Sequence, residues 1–175
     1  QVGDRNQQVE TVYVALDATE KNIEAAREAG AQLLLTHHPL LFESIRQVTT
    51  DTVSGRRVLA VLAAGMSCYS MHTNYDVLGL ADLAAKRLGL TDSAVLEEVY
   101  AGEGIGRVGM LPETMTVEAC ARLVRERFGL PHVKVFGDQK AQVRRAALSP
   151  GAGKSMAGAA RACRAEVLIT GDIDH

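Results

Sequence analysis

Short apolar stretches alternate with helix-length segments that end in glycine, and this order restricts the chain to few architectures. Residues 11–16 form a β-branched and aromatic run typical of a strand, and residues 20–29 favour a helix that Gly30 ends. The same order recurs with a strand predicted over residues 33–36 and a helix predicted over residues 55–64, which Gly65 ends. The sequence therefore predicts an α/β fold with a mainly parallel or mixed sheet in α/β/α layers, because strands joined by helices pair in this way.

The rest of the chain continues the pattern. Strands are predicted near residues 67–71, 95–100, 107–111, 133–136, 143–148 and 167–170, and helices over residues 81–88, 117–128 and from about 154 to 163. We expect one α/β unit over residues 1–175, with two similar lobes at about 1–95 and 100–175. A start at Gln1 without methionine, and an end inside a polar run at His175, predict that both termini are truncated.

Composition excludes several classes of protein. The 175 residues carry a net charge of −2 without a basic run, which argues against a nucleic-acid partner. No apolar stretch approaches the ~20 residues of a membrane helix, and no secretory signal is visible, so a cytoplasmic location is expected. Three cysteines without Cys-x-x-Cys spacing favour small buried residues over disulfides or a thiolate zinc site.

Histidines follow the predicted strands. His37 and His38 come directly after the second strand, His72 follows the third and His175 the last, and only His132 lies elsewhere. The carboxyl ends of parallel strands meet at one edge of a sheet, where sites of α/β proteins form. Imidazole and carboxylate groups are the usual ligands of zinc, iron, manganese and nickel. The pattern therefore predicts a metal site at this edge.

The His-His pair favours two ions. Adjacent side chains of an extended chain point to opposite sides, so one ion is awkward for both His37 and His38. Two ions ~3.5–4 Å apart suit them better, with Asp76 as the third ligand. His72 lies four residues before Asp76. Three roles remain open for His72: a metal ligand, a proton shuttle, or a hydrogen-bonding partner of a ligand.

Five motifs follow one another in a specific order. They are Leu-Asp-Ala-Thr at 16–19, Thr-His-His-Pro-Leu at 36–40, His-Thr-Asn-Tyr-Asp at 72–76, a glycine-rich turn at 104–109 and Thr-Gly-Asp-Ile-Asp-His at 170–175. Over essentially the whole chain, this order resembles the GTP cyclohydrolase 1 type 2 homologue family of NGG-interacting-factor-three-like, dinuclear metal-centre proteins.

The resemblance implies a ligand set. His37 and His38 match the adjacent histidines that bind the two metals, and Asp76 matches the aspartate ligand. The family completes its site with a His-x-x-x-Glu pair near the C-terminus, and this sequence stops before that pair. The resemblance implies two divalent ions as cofactors, of zinc, iron, manganese or nickel. It also implies that the protein assembles with further copies of itself into a homo-oligomer, a hexameric ring.

Two classes of function remain open. One is a metal-dependent hydrolase of a nucleotide-like or phosphoester small molecule, in which His72 is the catalytic residue that moves protons. The family name itself suggests opening of the GTP ring. The alternative is a non-catalytic metal-binding oligomeric scaffold or adaptor protein.

Overall fold

The computed structural model of the chain describes residues 2–172, and its contacts divide into two compact units, Gln1–Tyr75 and Asp76–His175. The sequence pattern had set the lobes at about 1–95 and 100–175. The division falls earlier because the helix around Leu88 is buried against Val124 and Leu148 of the second unit.

The first unit holds a three-stranded parallel sheet in the order β1-β2-β3. Its elements are β1 Val12–Ala15, α1 Glu20–Glu28, β2 Leu33–Thr36, α2 Val53–Ala63, β3 Ser67–Ser70 and the three-residue α3 Thr73–Tyr75. In the register of the sheet, Ala15, Thr36 and Ser70 lie side by side. The three strands therefore end level with one another, which brings their following residues to one edge.

Caps and packing explain both long helices of this unit. The hydroxyl oxygens of Thr19 and Thr52 accept hydrogen bonds from the backbone of Asn22 and Gly55, so each threonine begins its helix. Helix α2 thus begins at Val53, two residues before the predicted start. The glycines predicted to end the helices adopt left-handed φ angles, +66° at Gly30 and +64° at Gly65.

The core of the first unit lies between the sheet and these helices. Leu34 and Cys68 of the sheet are buried against Ile23 of α1 and Val61 of α2. Among the described residues, β1 pairs with β2 alone; its Val14 is 70% exposed, and Leu16, directly after the strand, is 60% exposed. The helices of this unit thus cover one face of its sheet.

The second unit holds a four-stranded mixed sheet in the order β4-β5-β6-β7. Its elements are a π-helical turn Asp76–Leu80, α4 Ala81–Leu88, β4 Thr91–Tyr100, β5 Glu103–Thr116, α5 Val117–Phe128, β6 Gln142–Ala152, α6 Met156–Ala162 and β7 Val167–Asp172. Strands β4, β5 and β6 are antiparallel, and β7 pairs with β6 in parallel. The predicted α/β fold with a parallel or mixed sheet is confirmed.

Helices cover both faces of this second sheet. Met156 of α6 packs with Val108 and Ala147 of the sheet. The neighbouring residue Leu148, whose side chain points to the other face, packs with Leu88 of α4 and with α5. The predicted α/β/α layering therefore describes the second unit.

Residues 133–136 do not form the predicted strand. Their alternating Val-Lys-Val-Phe pattern is typical of a strand, but Val133 packs against the cluster that holds Leu88 and Val124, and the segment does not join the order β4-β5-β6-β7. The segment instead runs irregularly between Pro131 and Gly137, and Phe136 is 80% exposed. An alternating pattern forms a strand only where its backbone pairs with a neighbouring strand.

Arg107 links helix α4 to the sheet. It is 4% exposed, and its guanidinium donates to both carboxylate oxygens of Asp82, at 2.5 and 2.9 Å. It also donates to the carbonyl oxygens of Gly104 and Gly106, at 3.0 and 2.8 Å. Every buried hydrogen of a charged side chain needs such a partner, so these bonds explain how an arginine is tolerated in strand β5.

Two further predictions concern burial and membranes. Cys68 and Cys120 are buried, Cys163 is half-buried, and all three are thiols, as predicted. Burial raises the pKa of the thiols of Cys68 and Cys120. No helix within residues 2–172 combines the length and the apolar character that crossing a membrane requires.

Candidate metal centre

The candidate site lies at the edge where the three parallel strands end. Backbone hydrogen bonds continue past the strands: His38 N donates to Leu16 O at 3.0 Å, and Met71 N donates to Thr36 O at 2.8 Å. They hold the residues that follow β2 beside those that follow β1 and β3. This brings histidines that are 34 residues apart along the chain to one place, as the strand ends predicted.

Three histidine side chains converge at this edge. One nitrogen from each of His37, His38 and His72 lies within 4.8 Å of the others. The ring centroids are 5.1 Å apart between His37 and either partner, and 5.9 Å apart between His38 and His72. The group is therefore tight enough for its nitrogens to reach a common ion.

The expectation that His37 and His38 point to opposite sides is wrong. It assumed an extended chain, but β2 ends at Thr36 and the chain bends at both histidines. With the alternation of the strand lost, the two rings lie together. The structure thus allows the pair to share an ion, and the number of ions stays a prediction.

A pair of hydroxyl groups, of which that of Thr36 is buried, supports the bend. Thr36 is 2% exposed, and its hydroxyl donates to His38 O at 2.8 Å. Since a hydroxyl has one hydrogen, the 2.9 Å contact between Thr36 Oγ1 and Ser70 Oγ is one in which Ser70 donates. The Thr36 hydroxyl therefore ties the backbone of His38 to the end of strand β3.

A carboxylate holds one of the histidines. His38 Nδ1 lies 2.7 Å from Asp17 Oδ1, and Asp17 follows strand β1 directly. Both side chains are about half exposed, at 48% for His38 and 47% for Asp17. This contact spans two neighbouring strand ends, so Asp17 belongs to the site together with the histidines.

The other two rings have neighbours from the short helix α3. His72 Nδ1 lies 3.3 Å from Thr73 Oγ1. The ring of Tyr75 meets that of His37 edge to face, with centroids 6.5 Å apart. The half-buried His37 and His72 thus have an aromatic and a hydroxyl neighbour, whereas His38 reaches further into solvent.

The donor set fits a divalent transition metal. Imidazole nitrogens are ligands that zinc, nickel and iron share, and three of them are a common protein ligand set for zinc. The three histidines could therefore hold a metal ion.

Comparisons with known proteins identify the family of the chain. A family model described as Duf34/NIF3 (NGG1p interacting factor 3) matches residues 1–175. The chain belongs to this family. It is 37% identical over 178 residues to the GTP cyclohydrolase 1 type 2 homolog of Clostridium perfringens, which covers 99% of the chain and 68% of that protein. The predicted membership is confirmed.

Solved structures share the fold. A Bacillus cereus protein related to NIF3 superposes with a TM-score of 0.95 at 22% identity, over 99% of this chain and 75% of that one. Reduced HcgD from Methanocaldococcus jannaschii superposes with a TM-score of 0.76 at 28% identity, over 100% and 69%. The DUF34/NIF3 fold therefore extends over both units.

The predicted site residues have different outcomes. His37, His38 and His72 are brought together, although their roles as ligands and as proton carrier stay predictions. Asp76 opens the π-helical turn of the second unit, and its place in the ligand set stays a prediction as well. His175, which the sequence placed after the last strand, lies outside the described residues.

Sequence reasoning did not assign roles to two residues that the structure adds. Asp17 lies in the Leu-Asp-Ala-Thr motif that follows the first predicted strand, and its carboxylate contacts His38, while Thr19 caps helix α1. Thr36 was read as the last residue of a strand. The signal for both was their position beside the histidines at neighbouring strand ends, where parallel pairing makes contacts between distant residues.

Proposed function

We propose that the chain binds divalent metal through His37, His38 and Asp76 and acts as a metal-dependent hydrolase of a nucleotide-like or phosphoester substrate. The convergence of three histidine nitrogens within 4.8 Å supports metal binding. Relatives named GTP cyclohydrolase 1 type 2 homolog support a nucleotide-like substrate. Two ions are proposed, of zinc, iron, manganese or nickel.

The residues at the edge of the first sheet have different proposed roles. A bound divalent ion supplies Lewis acidity, which makes water nucleophilic at neutral pH and polarises a carbonyl or phosphoryl oxygen. His37 and His38 bind the metal. Asp17 orients His38 through its ring, and Thr36 orients it through its backbone carbonyl. His72, whose nitrogen lies within 4.8 Å of theirs, carries a proton to or from the substrate.

Metal binding is tested first. The protein is purified without chelator and without a nickel column, and its metals are measured by elemental analysis alongside His37→Ala and His132→Ala. We expect bound divalent metal in the wild type and in His132→Ala, and its loss in His37→Ala. His132 is the matched control because it lies on an irregular exposed segment of the second unit. A metal-free wild type, after incubation with each of the four ions, would contradict the proposal.

Hydrolysis is tested next on the metal-loaded protein. A panel of GTP, other nucleotides, phosphodiesters and cyclic amides is followed by product analysis. We expect turnover of at least one member that disappears on chelation and in His37→Ala. Absence of metal-dependent turnover over the panel would contradict the hydrolase while leaving metal binding intact.

A metal-holding scaffold is the second candidate, and one observation favours it. Parallel sheets are ordinarily covered on both faces, but Val12, Val14 and Leu16 are exposed on an uncovered face. Assembly with further copies, with a hexameric ring as the proposed form, would cover apolar surface of this kind. This candidate predicts stable metal binding without turnover and an oligomer, measured by sedimentation velocity, that persists in His37→Ala.

A further inference from the structure

The contact between Asp17 and His38 has a consequence for the imidazole ring beyond the pairing of two surface side chains. We propose that Asp17 is a positioning residue of the metal centre: by accepting the Nδ1 hydrogen of His38, it leaves Nε2 as the nitrogen that His38 presents to a metal ion. The proposal rests on the proposed metal binding, and it concerns one side chain whose carboxylate is not among the three converging ligand groups.

The chemistry of the contact assigns the hydrogen. Nδ1 of His38 lies 2.7 Å from Asp17 Oδ1, a hydrogen-bond distance typical of a charged acceptor. A carboxylate only accepts, so the ring nitrogen must donate. A neutral imidazole carries one hydrogen, and Nε2 is then left with its lone pair. Metal ligands require such a lone pair, and a carboxylate on the opposite nitrogen also makes the imidazole a stronger donor to the ion.

Both partners of the contact are held in place by other bonds. The backbone oxygen of Asp17 accepts from Asn22 Nδ2 at 2.8 Å, and Thr19 rather than Asp17 caps helix α1. The Asp17 carboxylate is therefore not needed to begin the helix. On the other side, the N–H of His38 is bonded to Leu16 and its carbonyl to Thr36. These bonds hold the backbone of both residues, so the contact between the Asp17 carboxylate and Nδ1 can set the orientation of the His38 ring.

An ordinary surface ion pair is the competing explanation. Exposed pairs stabilise proteins by less than ~1 kcal/mol and do not select a tautomer, and both side chains are about half exposed. The pair Glu20–Arg57, at 3.1 Å in the same unit, is of this ordinary kind. Glu20→Gln is thus a matched control that removes one negative charge near helix α1 without contacting the histidines.

The first measurement needs no metal. Two-dimensional ¹H–¹⁵N spectra of ¹⁵N-histidine protein at pH 8 report which nitrogen of His38 carries the hydrogen. We expect the Nδ1–H form in the wild type and in Glu20→Gln, and a shift towards Nε2–H in Asp17→Leu, which has a similar size but no acceptor. A wild-type His38 with its hydrogen on Nε2 would overturn the proposal without any variant.

The second measurement uses Zn²⁺ and ¹¹³Cd²⁺ with the same proteins. We expect Asp17→Leu and Asp17→Ala to bind Zn²⁺ about 10–100-fold more weakly at an unchanged unfolding temperature, and Glu20→Gln to bind as the wild type does. In the ¹¹³Cd²⁺-loaded protein, coupling of the metal to His38 Nε2 supports the proposal. Coupling to Nδ1, or equal Zn²⁺ affinity in all variants, overturns it.

The two proposals fail in different ways. A wild type that binds no metal contradicts the proposed function, and the tautomer spectrum of the metal-free protein then still decides whether Asp17 fixes His38. A wild type that binds metal with a tautomer independent of Asp17 contradicts only the inference about Asp17.

Discussion

The hydroxyl oxygens of Thr36 and Ser70 lie 2.9 Å apart and join the ends of strands β2 and β3 beneath the histidines. Because Thr36 also donates to the carbonyl of His38, this pair connects the sheet to the residue that is proposed to bind metal. Two small hydroxyl groups, 34 residues apart in the chain, therefore couple the stability of the sheet edge to the geometry of the site.

We expect Thr36→Val to destabilise the protein by about 1–3 kcal/mol and to weaken Zn²⁺ binding. Valine keeps the shape of threonine, but the carbonyl of His38 and the hydroxyl of Ser70 lose a partner at a buried position. Urea unfolding and competition with a metal indicator measure the two effects. Thr11→Val, at an exposed position directly before strand β1, is the control. Wild-type affinity in Thr36→Val would show that the bend at His38 does not depend on this hydroxyl.

We expect His72→Ala to lower the kcat of the proposed hydrolase by about 10²–10⁴-fold, since a positioned proton carrier contributes this much. Zn²⁺ affinity should fall less than in His37→Ala. Steady-state kinetics on the substrate found in the panel, together with a metal titration, separate the two effects. A loss of affinity equal to that of His37→Ala would instead make His72 a ligand.

We expect Arg107→Met to destabilise the second unit by about 3 kcal/mol. The substitution leaves the carbonyl oxygens of Gly104 and Gly106 without their partner at a buried position and frees the carboxylate of Asp82. Arg122→Met is the matched control, because Arg122 pairs with Glu118 on the exposed surface of helix α5 at 2.9 Å, and such pairs contribute about 0.3–0.5 kcal/mol. Equal unfolding free energies for the two variants in urea would refute the structural role of Arg107.

The stability contributed by Glu166 should depend on pH. Hydrogen bonds from the backbone N–H groups of Arg145 and Arg144 lower the pKa of its carboxyl below the ordinary 4.5. A depressed pKa in the folded state stabilises the protein above 4.5, and this contribution is lost as the pH falls through the folded-state value.

Glu166→Gln should therefore be less stable than the wild type at pH 7, and the difference should shrink as the pH falls from 4.5 towards 2. Thermal unfolding over this range measures the difference. Glu113→Gln, at an exposed position in β5, is the control that accounts for the change in net charge. A difference between wild type and Glu166→Gln that is constant with pH would contradict the assigned cause.

Much of the fold could be predicted because local signals agreed with it. The strands of the first unit and helices α1, α4 and α5 lie within a few residues of their predicted bounds, since apolar runs, threonine caps and helix-ending glycines act over short distances. Residues 133–136 show the limit of such signals. Their alternation is a correct local pattern for a strand, but strand formation depends on whether a neighbouring strand is available.

The site was predictable in position and less so in detail. That His37, His38 and His72 would meet follows from their places after parallel strands. That the rings of His37 and His38 would lie together did not, because it depends on the bend after Thr36, which the hydroxyl of Ser70 stabilises from a distant part of the chain.

The sequence by itself determined the α/β class, the family and the edge at which histidines gather, because each depends on residue order and on short-range propensity. Only the tertiary structure decided that Asp17 holds Nδ1 of His38, that Thr36 links two strand ends and that the second sheet mixes parallel and antiparallel strands. Those features depend on pairing between segments far apart in the chain. Local sequence carries little information about which distant groups will lie within hydrogen-bonding distance.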